Sequence, residues 1–128
     1  MGLLDRFNKP KTDLQNNWKD LNNMDQLTQL IKDSSDKPVM IFKHSTRCGI
    51  SARAQFMLES GWDIDPADLD FYYLDLIAHR PISNEIAARL GVVHQSPQLI
   101  LVKDQKAVFD TSHHMVSLAT VKQAIGLD

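Results

Sequence analysis

The residue best suited to do chemistry in this sequence is its single cysteine, Cys48, which sits in the polar run Lys43-His44-Ser45-Thr46-Arg47-Cys48-Gly49-Ile50-Ser51. An ionised thiol is a strong nucleophile, and its surroundings decide how readily it ionises. The residues after Cys48 repeat with helical spacing, so a helix is expected to begin there. Unpaired backbone N–H groups and the positive end of the helix dipole then lie beside the sulfur, with cationic charge from Lys43 and Arg47, and all of these favour the thiolate. Lone cysteines commonly serve as small buried hydrophobes. The charged and polar neighbours of Cys48 fit that bland role poorly and fit a reactive thiol well.

Ser96-Pro97 is the second informative pair. It stands immediately before an apolar strand that proline can only begin, which places an X-Pro bond at the edge of a sheet. Spacing alone leaves a trans bond there as the plain reading. Of the five histidines, His44 and His113 are expected near Cys48, as solvated loop residues or as groups that guide the thiol. No metal is expected, because His113-His114 are adjacent and no second cysteine completes a structural zinc spacing. Asp75, near a strand end, reads as a solvated carboxylate. Trp18, Trp62, Phe42 and Phe71 read as core or rim.

These residues need elements to hold them. Trp18 is placed in a short edge strand, and Asn23 caps a helix carrying Met24, Leu27, Leu30 and Ile31. Val39-Met40-Ile41-Phe42, bounded by Pro38 and the polar run, is a strand buried on both faces. Ile50, Ala54, Met57 and Leu58 form the apolar side of the helix after Cys48, which Gly61 ends. Phe71 to Leu76 is the next strand. Pro81 opens a helix with Ile82, Ile86 and Leu90, and Gly91 closes it. Gln98 to Lys103 and Lys106 to Asp110 form a hairpin across Asp104-Gln105, and Leu118, Val121 and Ile125 line a last helix. The order implies an α/β chain of thioredoxin-like fold, a mixed central sheet with helices on both faces.

The whole chain of 128 residues fits one domain, read as a polar lead-in over 1–17 and the domain over 18–128. A net charge of −2 with mixed signs offers no stripe for nucleic acid and no anchor for lipid. The opening residues are too polar for a secretory leader, Arg6 breaks the myristoylation pattern after Met1-Gly2, and nothing is long and apolar enough to span a membrane. The expected location is the cytoplasm. The Leu3-Leu4 and Phe7 patch reads as a frayed end.

Cys48-Gly49-Ile50-Ser51 after a buried strand, with Ser96-Pro97 before a hairpin, resembles the redox site of the thioredoxin superfamily with its second cysteine replaced by serine, as in monothiol glutaredoxins. The run from Ile41 to Cys48, with Ser96-Pro97-Gln98 and Ser112-His113, more closely resembles the YtxJ family of monothiol bacilliredoxins, from Trp18 to the end of the chain. That resemblance implies a cis Pro97 packed beside Cys48 and a Ser96 backbone that pairs with an incoming peptide or low-molecular-weight thiol. It implies a thiolate that takes bacillithiol from S-bacillithiolated cytoplasmic proteins, with bacillithiol as co-substrate and no resident cofactor. Ser51 cannot resolve the adduct, so an outside thiol, redoxin or reductase must finish the cycle. Ser51 would instead bond the thiolate or its own backbone. Gly49 departs from the proline of some relatives. Two other readings compete: a carrier of a bridged iron–sulfur cluster, and an adaptor without redox activity. The spacings of Arg53 and Thr46 from Cys48 fit neither a cysteine phosphatase loop nor a peroxiredoxin.

Overall fold

A computed structural model describes residues 17–127; the expected lead-in, including Leu3-Leu4 and Phe7, lies outside the described residues except for Asn17. In chain order the elements are β1 (Lys19–Asp20), α1 (Met24–Asp33), β2 (Val39–His44), α2 (Gly49–Glu59), β3 (Asp70–Asp75), α3 (Arg80–Leu90), β4 (Gln98–Lys103), β5 (Lys106–Ser112), a 3-10 turn (His113–Met115) and α4 (Leu118–Ile125). The strands form one sheet in the order β1-β3-β2-β4-β5. β2 runs parallel to β3 and antiparallel to β4. The mixed sheet, with helices on both faces, agrees with the expectation.

Alternate residues of the central strands feed two cores, as the two-residue period of a strand requires. Met40 and Phe42, with Phe71, Tyr73, Leu99 and Leu101, pack under Ala54 and Leu58 of α2 and Val121 of α4. Val39, Ile41, Leu74, Ile100 and Val102 pack on the other face under Leu27 and Leu30 of α1 and Ile82 and Ile86 of α3. Trp18 closes the first core at the sheet edge, stacked on Phe71 at 4.5 Å between ring centroids and edge-on to Trp62 at 5.3 Å. No helix among the described residues is long and apolar enough to cross a membrane.

Local chemistry sets the element ends. Asn23 Oδ1 accepts from Gln26 N at 2.8 Å while Gln26 Oε1 accepts from Asn23 N at 3.2 Å, a reciprocal capping box at the start of α1. Asn23→Ala is expected to cost about 1 kcal/mol, read as a lowered urea midpoint; an unchanged midpoint would mean the cap contributes nothing. α3 ends at Gly91, whose φ of 66° a side chain would resist. The hairpin turns on Asp104 and Gln105, both with positive φ and neither a glycine. Bonds to the end of α1 hold that turn, from Asp104 N to Ser34 O at 3.0 Å and from Gln105 N to Ser34 Oγ at 2.8 Å.

Several strand bounds differ from the sequence reading. Trp18 lies just before β1 and not within it, and β3 runs from Asp70 to Asp75 instead of from Phe71 to Leu76. β2 continues through Lys43 and His44, both buried, where a solvated polar turn was expected. β5 runs to Ser112 instead of Asp110, because Thr111 and Ser112 remain paired with Leu99 and Gln98.

Candidate active site

The site follows from register. Parallel β2 and β3 end side by side at His44 and Asp75, and Cys48 follows at the carboxyl end of β2. Antiparallel β4 begins at that same end, with Gln98 opposite Lys43, so the Ser96-Pro97 segment arrives next to the start of α2. β5 finishes there too, with Ser112 opposite Gln98, and delivers His113. Three segments far apart in sequence thus meet where ligands collect on open α/β sheets.

Cys48 is the N-cap residue of α2, in extended conformation, with a free and half-buried thiol that makes no side-chain capping bond. Its N–H donates to Ser45 O at 3.2 Å and its carbonyl accepts the first helical bond, from Ala52 N at 3.0 Å. Helix geometry leaves the N–H groups of Gly49, Ile50 and Ser51 without helical acceptors at this end, a setting that favours an anion. A Cβ at Gly49 would meet nothing within 4 Å, so packing does not demand glycine there. Arg47 is exposed and adjoins Cys48 in the chain, where its guanidinium adds positive charge.

Ser51 is fully buried, and its hydroxyl neither faces water nor bonds the thiol. Its Oγ accepts from Ser45 N at 3.2 Å and lies 3.5 Å from Ser96 Oγ. The serine therefore ties the cysteine loop to the proline loop, a role that neither of the two expected bonds describes.

The Ser96-Pro97 bond is cis, as the resemblance implied. The Pro97 carbonyl accepts from His113 N at 2.9 Å, and His113 holds a left-handed φ of 56°, uncommon for a residue with a side chain. His113 and His114 are exposed, as expected of loop histidines. With Ile50, Arg53, Ala54, Met57 and Val116 they line a groove of about 230 Å³ along the flank of α2.

Two expected site residues are placed differently. Strand alternation sends Lys43 and His44 to opposite faces. The Lys43 ammonium, expected as cationic charge beside the thiol, is aimed at α3 and at His94, 3.3 Å from His94 Nδ1. His44 is no solvated histidine: it is 4% exposed, packed against Phe42 and Tyr73, with a buried Nδ1 that has no partner among the described residues. Burial pushes its imidazole below the ordinary histidine value, against the pull of the Asp75 carboxylate. Asp75 itself accepts from Ile77 N at 3.0 Å and closes the turn after β3. His44, Asp75, Thr46, Gln55 and His79 border a second cavity, of about 440 Å³, on the β3 side of the cysteine loop. His94 and Ser83, which approach Lys43, were not legible as site residues, since nothing in their local sequence marks them.

The family model described as monothiol bacilliredoxin BrxC matches residues 19–121. A solved structure described as a candidate oxidoreductase with a thioredoxin fold is 31% identical, covering 84% of this chain and 92% of its own, with a TM-score of 0.68. Thioredoxin from Malassezia sympodialis is 18% identical, with coverage of 88% and 90% and a TM-score of 0.69. Spinach chloroplast thioredoxin f is also 18% identical, with coverage of 87% and 92% and a TM-score of 0.64. At 18% identity these two thioredoxins speak for the fold alone.

Proposed function

Because this chain belongs to the monothiol bacilliredoxin BrxC family and is similar to an oxidoreductase of thioredoxin fold, we propose that it removes bacillithiol from protein mixed disulfides by exchange at Cys48. The Cys48 thiolate attacks the bacillithiol sulfur of a protein–bacillithiol disulfide. A new Cys48–bacillithiol disulfide forms, the old S–S bond breaks, and the substrate protein leaves as a thiolate. A second thiolate, from free thiol, a redoxin or a reductase, then attacks the adduct and restores Cys48. No other cysteine exists in the chain, so that second thiol comes from outside.

The observation that carries this reading is the convergence of a half-exposed N-cap cysteine with the Ser96-Pro97 and His113 loops, together with a buried serine one turn along α2. Ser96 offers its backbone to an extended substrate segment. The groove bearing Arg53, His113 and His114 suits the polar body of the thiol on the other side of the sulfur. Substrates are cytoplasmic proteins on this reading, and neither nucleic acid nor membrane is involved.

The test is to incubate the full chain with an S-bacillithiolated protein and follow both by mass. The substrate is expected to lose one bacillithiol and Cys48 to gain it, with reversal on adding excess thiol. A substrate that keeps its modification would overturn the reading. Anaerobic reconstitution with iron and sulfide checks the carrier alternative, which a visible absorption band from a bridged dimer would favour.

A further inference from the structure

Lys43 is completely buried, yet among the described residues no carboxylate pairs with its ammonium. Nζ instead reaches the Ser83 carbonyl at 3.5 Å and His94 Nδ1 at 3.3 Å, and Ser83 Oγ lies 3.3 Å from the same Nδ1. A buried ammonium held only by neutral dipoles is expensive. Burial lowers Lys43 to about 8, so at pH 7 it keeps its proton and can only donate. His94 Nδ1 must then accept, with the imidazole neutral and its proton on Nε2. His94 is exposed on its outer side, and its partial burial first, then the charges of Lys43 and Arg80, push it down from the ordinary histidine value, which favours the neutral ring.

Few other charged groups face this cluster. On β2 the neighbouring His44 points to the opposite face. The β3 partner of Lys43 is Leu74 and its β4 partner is Gln98. From α3 come Ser83 and Arg80, and from the loop before β4 comes His94 alone.

That loop ends in Ser96-Pro97. Gln98 straps it from β4, donating from Nε2 to Val93 O at 2.9 Å and accepting at Oε1 from Gln95 N at 3.3 Å. Ser51 meets it at Ser96 and His113 at Pro97. On the α3 side it is held by the buried Val92, clustered with Ile82 and Ile86, and nearer to Ser96 by the His94 imidazole. We propose that Lys43 is a positioning residue for the substrate-pairing loop, holding Ser96 and Pro97 in place through its bond to unprotonated His94, so that acid releases the loop. Protonation takes away the Nδ1 lone pair and sets two cations side by side. This role rests on the exchange reading of Cys48, and Lys43 acts on the loop and not on the sulfur.

The experiment compares two rates on the full chain from pH 5 to pH 7.5: transfer from an S-bacillithiolated protein, and alkylation of Cys48 by iodoacetamide, which needs no loop. Their ratio cancels thiolate ionisation. In the unsubstituted chain the ratio is expected to stay level from pH 7.5 down to the ordinary histidine value and to fall about threefold to tenfold on its acid side, toward pH 5. The downward push on His94 moves its proton uptake to lower pH. His94→Asn puts a non-titrating acceptor near the position of Nδ1 and is expected to keep the ratio flat. Lys43→Met is expected to lower the ratio at pH 7 and flatten its profile, with a raised KM for the protein disulfide. The same acid fall in His94→Asn as in the unsubstituted chain, with transfer intact, would overturn the loop role alone. Alkylation without transfer at any pH would overturn the exchange reading and the loop role with it.

Discussion

Cys48→Ala is expected to abolish transfer of bacillithiol, lowering its rate on the order of a thousandfold or more, to the level of uncatalysed exchange. The sulfur is the only thiol in the chain, and no neighbouring hydroxyl has the nucleophilicity to replace it. The Cys48 side chain makes no capping bond at the start of α2, and the half-buried thiol fills no core position, so stability is expected to stay within about 0.5 kcal/mol. Unchanged folding with lost transfer, followed by mass and by circular dichroism, separates chemistry from structure. If Cys48→Ala still removed bacillithiol at the normal rate, the proposed mechanism would be wrong.

Phe42→Ala is expected to have the largest effect on stability, a loss of about 3 to 5 kcal/mol. Phe42 lies fully buried in the central strand β2, with Trp18 at 6.3 Å, Tyr73 at 5.9 Å and His44 at 5.6 Å between ring centroids. Removing its ring leaves a cavity bounded by α2 and by strands that cannot close without breaking register. The loss is a large share of the roughly 5 to 15 kcal/mol that holds a domain folded. Urea unfolding followed by far-ultraviolet circular dichroism reads it directly, and a change below about 1 kcal/mol would mean the core collapses around the gap.

Where hydrophobic pattern and terminators agree, the fold was readable. The continuous apolar run over Val39 to Phe42 identified the central strand, Asn23 and Gly91 marked real helix ends, and Asp104-Gln105 marked the hairpin. Cys48, Ser96-Pro97 and His113 were legible as a site because each stands at the end of an element, and the register of β2, β4 and β5 brings those ends together. The polar residues inside elements were not legible. Lys43 and His44 read as a solvated turn because polarity normally tracks exposure. Tertiary contacts reverse this: Lys43 finds its acceptors on α3 and on the loop after it, and His44 packs its ring on Phe42 and Tyr73. Ser51 likewise gave no sign that its hydroxyl would join two loops. The two extra residues of β5 were missed because Thr111 and Ser112 carry no apolar alternation.

The aromatic cluster at the sheet edge gives this protein a built-in optical reporter. Both of its tryptophans, Trp18 and Trp62, belong to one cluster with Phe71, and the buried Nε1 of each finds no hydrogen-bond partner among the described residues. Indoles so placed emit at short wavelength, and contact with water shifts the emission to the red. The tryptophan emission, excited apart from that of Tyr72 and Tyr73, therefore reports on the face of the sheet that carries α2 and Cys48, while an opening confined to the α1 and α3 face leaves it unchanged.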